Sequence, residues 1–291
     1  MDFLPFGLVR TFANFGKPIL TEISRASAVA VIVPTRKTLN NISLRSSEPY
    51  GRTMSKHSIW EKILPPQPVN NEFYGGSAEE YYKLLFQTIS RSSGVLLPTE
   101  EFKLDLSDKV SIEEMASSPI GLRFLKMLVK LTGARRVFEI GTFIGISAMA
   151  MAQALPADGE VVTIEKFDHF ARIARKNFSR NGLSHKIKLL EGDAFEVIER
   201  MPKAEFFDII FIDGNKERYA HYFQVMEPLL RPGGLAIIDD SLFHGDVLNA
   251  SPRTEKGAGV KSFLDVAANL QGWLRLLLPI SNGIMLMIKP E

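Results

Sequence analysis

The stretch Val137-Phe-Glu-Ile-Gly-Thr-Phe-Ile-Gly-Ile-Ser147, which runs on into residues 148–155, decides the fold of this chain. It begins as a short apolar run, turns through two glycines and continues with the composition of a helix. A strand that passes through a glycine turn into a helix is the opening unit of a doubly wound α/β sheet. Main-chain N–H groups at such a turn approach a nucleotide-like ligand.

The spacing of the glycines narrows the choice of ligand. Dinucleotide-binding turns use G-x-G-x-x-G, which accommodates a pyrophosphate and close helix packing. This chain has only Gly141 and Gly145 there, with Glu139 two residues before the first. A cofactor without phosphates therefore fits better than NAD, and E-x-G-x-x-x-G resembles the first motif of class I S-adenosylmethionine (SAM) methyltransferases. An ordinary glycine-containing turn is the alternative that this motif leaves open.

Composition limits the number of domains and the classes of protein to which this chain can belong. A chain of 291 residues can form one large domain or one domain with an appendage. It has no cysteine, which excludes disulfides, thiolate metal sites and cysteine nucleophiles and is compatible with a cytoplasmic location. No apolar run approaches the roughly 18 residues of a membrane span. The net charge of +2 does not resemble that of a dedicated nucleic-acid-binding protein.

The charge is distributed unevenly along the chain. Residues 1–60 hold eight Lys or Arg against three acids, a net +5, so the remainder carries −3. We expect residues 1–70 to form an N-terminal arm and residues 71–291 the catalytic domain. The many apolar residues of the arm predict that it packs on the domain or across a homodimer. A scarcity of acids with several Arg and Ser also describes an organellar transit peptide, which stays open as an alternative.

Hydrophobic periodicity places the secondary structure. Helices are predicted over 77–90 and over 118–132, the second with an apolar side formed by Leu122, Leu125, Met127, Leu128 and Leu131. From residue 136 onward strands alternate with helices, and the last two strands are joined by a short hairpin-like connection. The predicted strands are 137–140, 161–164, 187–190, 208–212, 235–238, 273–278 and 284–288. This pattern predicts a mostly parallel seven-stranded sheet with a terminal antiparallel pair and helices on both faces.

Acidic residues follow the second and third strands, where ligands of open α/β sheets bind. Glu165 lies about 20 residues beyond the glycine turn, at the position where an acid accepts hydrogen bonds from a ribose diol. Asp193 can reach an adenine amino group, or can cap the helix that begins at Ala194. The alternative for Glu165 is a solvated carboxylate.

Carboxylates also follow the fourth and fifth strands. If these strands are neighbours, Asp213 and Asp239 project into one crevice, and Asp240 adds further oxygens. Clustered carboxylates without nearby His or Cys favour a hard divalent cation such as Mg²⁺. Lys216 is a candidate general base, because burial beside a cation should lower the pKa of its amine. Helix capping and ordinary ion pairs are the alternatives for these residues.

Several segments together resemble the cation-dependent O-methyltransferases of the catechol and caffeoyl-CoA type. The likeness covers roughly residues 107–291, and its motifs are Glu139-Ile-Gly141, Gly192-Asp-Ala194, Phe211-Ile-Asp213 with Lys216 and Tyr219, Leu229-Leu-Arg-Pro-Gly-Gly234 and Leu242-Phe-His-Gly245. The resemblance implies a Rossmann-like class I methyltransferase fold and a metal at Asp213, Asp239 and Asp240. It implies Lys216 as the base, and SAM bound by Met115, Glu139, Gly141, Phe143, Ser147, Glu165, Asp193, Ala194 and Asp213.

The activity expected from this resemblance is methyl transfer from SAM to a metal-bound hydroxyl of a small aromatic, catechol-like substrate. Two departures from the family pattern matter. Gly214 and Asn215 stand where the family more often has Ala and acidic or aromatic residues, and the family usually has Asp-Asn where this chain has Asp239-Asp240. The extra carboxylate could tighten the cation, change the preferred cation, or mean that Asp240 is not a ligand. Two alternatives therefore stay open: O-methylation of a hydroxylated RNA base, and a SAM-binding protein whose metal site is degenerate.

Overall fold

The computed structural model describes residues 77–106, 115–202 and 206–291, so the predicted arm, residues 1–70, lies outside the described residues. Short 3₁₀ segments cover Lys216–Arg218, Glu227–Leu229 and Phe243–Leu248. The helices and strands are, in chain order, α1 (Ala78–Ser92), α2 (Pro98–Glu101), α3 (Pro119–Thr132), β1 (Arg136–Ile140), α4 (Ile146–Ala154), β2 (Glu160–Glu165), α5 (Asp168–Arg180), β3 (Ile187–Glu191), α6 (Ala194–Glu199), β4 (Phe207–Ile212), α7 (Tyr219–Met226), β5 (Leu230–Ile238), α8 (Glu255–Asn269), β6 (Leu274–Leu278) and β7 (Ile284–Ile288).

The strands form one seven-stranded sheet in the order β3-β2-β1-β4-β5-β7-β6. Strands β1 to β5 pair in parallel, whereas β7 runs antiparallel to both β5 and β6. The predicted fold class is thus confirmed. The order reverses beside β1, and such a switch point opens a crevice at the carboxyl ends of the strands.

Alternation along the strands divides the core between the two faces of the sheet. Val137 and Phe211 belong to an apolar cluster with residues of α3, α4 and α5. Phe138 and Ile210, one residue along, belong to a second cluster with residues of α7 and α8. Both faces are buried because successive side chains point to opposite sides. Helix α4 is buried along nearly its whole length, which suits its Ala- and Met-rich sequence.

Helix α3 begins and ends where its sequence predicts, but its apolar side is different. The Ser118 hydroxyl accepts a hydrogen bond from the N–H of Gly121, and Gly133 ends the helix with a left-handed φ of 62°. Met127 and Leu131, predicted to be on the apolar side, are 52% and 76% exposed. They lie about 140° and 180° around the helix from Leu122, at roughly 100° per residue. The buried face is instead formed by Leu122, Leu125, Leu128 and Val129.

The described helices are otherwise of ordinary length for a domain with a central sheet. Helix α1 lies close to its predicted range of 77–90 and is capped by Ser77, whose hydroxyl accepts a hydrogen bond from the N–H of Glu80 at 3.2 Å. Within the described ranges, no helix combines the length and the apolar character needed to cross a membrane.

Candidate active site

The glycine turn after β1 approaches the rest of the sheet too closely to carry side chains. Gly141 has a φ of 102°, and a Cβ there would lie 2.2 Å from the backbone oxygen of Asp213 at the end of β4. Gly145 has a φ of 90°, and its Cβ would lie 2.3 Å from the ring of Phe178 on α5. Both glycines are therefore required by backbone conformation and by packing.

A buried hydrogen-bond chain lies beneath this turn. One oxygen of Glu139 accepts from the Ser147 hydroxyl at 2.5 Å, and the other accepts from the Thr163 hydroxyl at 2.5 Å. The Thr163 hydroxyl also meets that of Thr142 at 2.5 Å. Burial raises the pKa of Glu139 to about 7, although both hydroxyls act in the opposite direction. These four side chains tie β1, β2 and α4 together under the turn.

The residues of this hydrogen-bond chain differ from the sequence prediction in two ways. Glu139 and Ser147 are predicted to bind cofactor, but neither lines the cavity described next. Glu139 points toward α4, the helix that contains Ser147, because Glu139 shares its face of the sheet with Val137. Thr142 and Thr163 are not among the predicted residues. Thr163 can be recognised as a partner of Glu139 from the strand register, because the two residues lie opposite each other on β2 and β1.

A cavity of about 600 Å³ opens at the carboxyl ends of the strands. It brings together most of the residues predicted to bind cofactor or carry chemistry, namely Met115, Gly141, Phe143, Glu165, Asp193, Ala194, Asp213, Lys216 and Asp240. Asp239 is buried behind this lining. The cavity also contains aromatic and basic residues that the sequence analysis missed, namely Phe167, Phe170, Arg218, Tyr222, Phe243, His244 and Lys256.

Glu165 and Asp193 stand at one end of the cavity and are held by local hydrogen bonds. Glu165 accepts from the backbone N–H groups of Phe143 at 2.7 Å and Phe167 at 2.9 Å, one on each oxygen. Burial nevertheless raises the pKa of Glu165. Asp193 caps α6 through the N–H of Phe195. The Glu165 oxygens and Oδ1 of Asp193 each accept one of these hydrogen bonds and keep a lone pair, so both residues can still accept hydrogen bonds from a ligand.

Asp193 also pairs with two cations at the cavity rim. Lys166 Nζ lies 3.1 Å and Arg218 Nη1 lies 3.3 Å from its Oδ2. Burial acts to raise the pKa of Asp193, but Lys166, the N–H of Phe195 and Arg218 outweigh it and lower the pKa. Asp193 is therefore an ionised acceptor on the rim.

Three carboxylates gather at the ends of β4 and β5. The pairing of Ile212 with Ile238 places Asp213 and Asp239 at adjacent strand ends. Lys216 Nζ lies 2.6 Å from Asp213 Oδ1 and 2.8 Å from Asp240 Oδ2. Asp239 accepts from the N–H of Asp240 at 2.8 Å. The predicted crevice thus contains Asp213 and Asp240, with Asp239 behind them.

Burial and mutual repulsion shift the pKa values of these acids. Burial raises the pKa of Asp213 to about 6, with Lys216 opposing and Asp240 adding to the rise. Burial also raises the pKa of Asp239 well above its usual range, and the charges of Asp213 and Asp240 add to this. For Asp240 burial is outweighed by Lys216, which lowers its pKa. Asp240 is therefore the carboxylate most fully ionised against the lysine.

The state of Lys216 differs from the one expected of a free base. Burial lowers the pKa of its amine, but the charges of Asp213, Tyr219 and Asp240 outweigh burial and raise that pKa well above its usual value. The lowered pKa predicted from the sequence required a cation beside the lysine. Without one, Lys216 is a protonated partner of two carboxylates.

The chemistry of this acidic group fits a hard divalent cation, since oxygen donors and surplus negative charge favour one. Lys216 supplies one positive charge against three carboxylates. The buried Tyr219 hydroxyl, which feels the same carboxylates, lacks a hydrogen-bond partner within the described part of the chain. The arrangement is less suited: among residues 77–106, 115–202 and 206–291, no three acidic or histidine side chains are placed to hold an ion. A cation bound by Asp213 and Asp240 would compete with Lys216.

Comparison with known proteins identifies the family. The sequence profile of the O-methyltransferase family matches residues 99–290. The catechol O-methyltransferase of Niastella koreensis is 35% identical over 148 residues, covering 50% of this chain and 67% of that protein. Caffeoyl-CoA O-methyltransferase 2 of Petunia hybrida is 33% identical over 175 residues, covering 56% of this chain and 72% of that protein.

Solved structures agree with the sequence relatives. The O-methyltransferase TomG from Streptomyces achromogenes, in complex with SAM, has a TM-score of 0.56 and 29% identity, covering 61% of this chain and 82% of TomG. PaMTH1 from Podospora anserina, bound to SAH, has a TM-score of 0.65 over 74% of this chain and 98% of its own. At 21% identity PaMTH1 supports the fold alone. The chain therefore belongs to the O-methyltransferase family of the catechol and caffeoyl-CoA type and is a SAM-dependent O-methyltransferase.

Proposed function

We propose that this enzyme methylates a hydroxyl group of a small aromatic substrate that carries neighbouring hydroxyls, with SAM and acceptor in the same cavity. The observation that carries the proposal is that one cavity of about 600 Å³ is lined at once by Glu165 and Asp193 and by Lys216 and Asp240. The first two offer acceptors for a ribose diol and an adenine amino group. The last two offer a base and a counter-charge for a hydroxyl.

The cofactor would occupy the end of the cavity near the glycine turn. Glu165 is fixed by the N–H groups of Phe143 and Phe167, so its remaining lone pairs are aimed before a ribose arrives. Asp193 is held by the α6 cap and by two rim cations in the same way. Met115 and Gly141, with the backbone close to Asp213, would border the methionine part of SAM.

The acceptor would occupy the end near Asp240. Phe243 and His244 line the cavity there, with ring centroids 5.4 Å apart, and offer aromatic surface for a phenolic ring. Relatives named for catechol and caffeoyl-CoA support a phenolic acceptor. The resulting complex would place the acceptor hydroxyl near Lys216.

The chemical step would be an in-line displacement. The acceptor oxygen attacks the SAM methyl carbon, the bond from that carbon to sulfur breaks, and S-adenosylhomocysteine leaves with the electron pair. Lys216 would take the hydroxyl proton as the neutral amine, which requires that its ammonium first leave Asp213 and Asp240 and lose a proton to solvent. A divalent cation held by Asp213 and Asp240 in place of Lys216, with Asp239 behind them, would supply charge to stabilise the acceptor oxyanion. Alignment and deprotonation would then carry the catalysis.

A SAM-binding protein with a degenerate cation site is a second candidate, favoured by one observation. Lys216 bridges Asp213 and Asp240, the positions that a cation would share. Isothermal titration of SAM with and without Mg²⁺ separates the two candidates. Cation-sensitive SAM or acceptor binding supports the enzyme with a functional cation site, whereas binding indifferent to Mg²⁺ supports the degenerate site.

The test of the proposed function is a turnover screen that follows S-adenosylhomocysteine release. Small catechols, phenylpropanoids and hydroxylated RNA are offered as acceptors, each with and without EDTA. We expect catechol-like acceptors to be methylated and singly hydroxylated analogues to react much more slowly. Methylation of RNA alone would replace the small-molecule proposal by the nucleic-acid alternative.

For the whole chain, we propose residues 71–291 as the methyltransferase domain and residues 1–70 as an arm that supports acceptor binding or a homodimer. The family profile begins at residue 99, which is consistent with an appendage before the common core. A cytoplasmic location is part of the same proposal. Sedimentation of the full chain, with localisation of a tagged copy, tests both statements.

A further inference from the structure

The turn between β6 and β7 reaches the carboxylate group from the far edge of the sheet. Asn282, 8% exposed, lies in this turn, 42 residues after Asp240. Its Nδ2 donates to Asp240 Oδ1 at 2.9 Å, and its Oδ1 accepts from the backbone N–H of His244. The Asn282 amide thus uses both of its ends on the loop that lines the acceptor end of the cavity.

The backbone of the turn is fixed just as closely to this loop. The Asn282 carbonyl accepts from the N–H of Leu242 at 2.8 Å, and the Gly283 carbonyl accepts from the N–H of Ser241 at 2.8 Å. Gly283 has a φ of 91°, and a Cβ there would lie 2.6 Å from the nitrogen of Leu242. Asn282 is therefore presented on a rigid support, since the two loops are bonded through main-chain groups.

Asp240 depends on this support for the direction of its carboxylate. It has a left-handed φ of 52°, as do Phe243 and His244 with φ of 39° and 53°. Its two oxygens are divided, with Oδ1 on Asn282 and Oδ2 on Lys216 Nζ at 2.8 Å. Without the Asn282 amide, the carboxylate of Asp240 would be free to rotate. The contact with Asn282 would then no longer direct Oδ2 toward Lys216.

We propose that Asn282 is a positioning residue for Asp240 in the methyltransferase reaction. The Asn282 amide directs one oxygen of Asp240 toward Lys216, and it holds the Phe243–His244 turn at the acceptor end. This inference deepens the proposed function and rests on it for its catalytic readout.

Asp240 and Asn282 form a carboxylate–amide pair. Exchanging the two residues therefore keeps one hydrogen bond between them and one negative charge. After Asp240→Asn, the amide at position 240 would keep its oxygen toward Lys216. After Asn282→Asp, the carboxylate at position 282 would accept from that amide and from the N–H of His244. The exchange therefore restores in the double variant what each single substitution removes.

The test is a cycle of four proteins: wild type, Asn282→Asp, Asp240→Asn, and the exchanged double variant. Asn282→Asp opposes two carboxylates where the structure has a hydrogen bond, and we expect kcat to fall by about tenfold or more. The Kd for SAM should stay within about threefold, because SAM is proposed to bind at the other end of the cavity. The double variant should lose much less kcat than the product of the two single losses.

Asn249→Asp is the matched control. Asn249 Nδ2 donates to Asp246 Oδ1 at 3.0 Å, an equivalent amide–carboxylate pair, and neither residue lines the cavity. It should lower stability without changing kcat. If Asn282→Asp does not fold, Asn282→Ala removes the amide without adding charge, and its kcat should fall several-fold with SAM affinity kept.

Two results would overturn the proposal: unchanged kcat in the Asn282 variants, or a double variant that is as poor as the two single losses multiplied. Failure of the proposed function is seen separately, as absence of methyl transfer by the wild type with every acceptor. In that case the unfolding free energies of the same four proteins still measure the coupling between residues 240 and 282. Additive unfolding free energies would then overturn the pairing.

Discussion

The ammonium nitrogen of Lys216 lies 2.6 Å from Oδ1 of Asp213, three residues earlier in the chain, and both side chains are largely buried. This contact joins the residue proposed as base to a residue proposed as cation ligand. The same ammonium cannot be both a proton acceptor and the permanent partner of Asp213. The proposed role of Lys216 as base therefore requires this contact to break.

Replacing Lys216 by alanine should remove the base and leave the cofactor end intact. We expect kcat to fall by about 10²–10⁴-fold, the usual contribution of a positioned proton acceptor. The Kd for SAM should change little, because Glu165 and Asp193 are untouched. Turnover and isothermal titration measure the two effects separately.

Lys289→Ala is the control for loss of a half-buried ion pair. Lys289 Nζ lies 2.8 Å from a Glu227 carboxylate oxygen, and its side chain is 19% exposed against 15% for Lys216. Its replacement should reduce stability but not kcat. Turnover of Lys216→Ala within a few-fold of wild type would show that Lys216 is not the base.

Removal of divalent cations should abolish turnover, and Mg²⁺ or Mn²⁺ should restore it. Cation binding should also raise the midpoint of thermal unfolding, because an ion at about 100 times its Kd adds roughly 2.7 kcal/mol to the folded state. Asp213→Ala should abolish both effects. Asp240→Asn should weaken them less, because its amide keeps one oxygen at the same place. Full activity and an unchanged midpoint in EDTA would contradict the cation proposal.

Glu139 should make the unfolding free energy fall as pH rises. Its folded pKa of about 7 lies above its ordinary value of 4.5, so the folded chain holds a proton that the unfolded chain releases. The favourable contribution is complete below pH 4.5 and is lost as pH rises to about 7. At about 1.36 kcal/mol per pKa unit, the change is on the order of 3 kcal/mol.

Glu139→Gln removes this titration and keeps groups that can bond Ser147 and Thr163. The unfolding free energy of the variant relative to wild type should therefore rise between about pH 4.5 and 7.5, as measured by denaturant titration. Glu196→Gln, whose side chain is 67% exposed, controls for loss of a surface carboxylate. A difference that stays constant with pH would mean that Glu139 is not the titrating group.

Gly141→Ala should be much more harmful than Gly182→Ala. Both glycines have positive φ, at 102° and 67°, but a Cβ at 141 meets the Asp213 backbone, whereas a Cβ at 182 meets none of the described residues within 4 Å. Gly182→Ala should cost about 1 kcal/mol for its backbone conformation alone. Gly141→Ala adds overpacking, for a total of about 2 to 5 kcal/mol, and should weaken SAM binding. Equal losses in the two variants would rule out the close approach as the reason for Gly141.

Local patterns in the sequence are sufficient for the architecture. The alternation of buried strand and helix from Arg136 onward, with a hairpin at the end, predicts the seven-stranded sheet that the structure contains. The positions of helices α1 and α3 follow from the sequence in the same way. These features depend on residues within about one turn or one strand of each other, where periodicity and capping chemistry act directly.

Errors arise where the answer depends on packing partners. Met127 and Leu131 are as apolar as their neighbours, but α3 packs through Leu122, Leu125 and Val129. Which face of α3 is buried depends on the helices and strands that it contacts. For Glu139 the packing partners add to the prediction. Its motif predicts a place in the cofactor site, which stays a prediction, and strand alternation places its carboxylate where Ser147 and Thr163 complete its hydrogen bonds.

The acidic group shows the same division between local and long-range information. The acids at the ends of β4 and β5 can be read from the chain, because parallel strands end at one edge. The ion-pair and hydrogen-bond partners of these acids cannot be read from the chain. Lys216 reaches Asp240 across 24 residues because β4 and β5 pair in parallel, and Asn282 reaches it across 42 residues because β7 returns antiparallel beside β5. Contacts of this range form when the sheet closes, so the protonation state of Lys216 and the direction of the Asp240 carboxylate follow from tertiary packing.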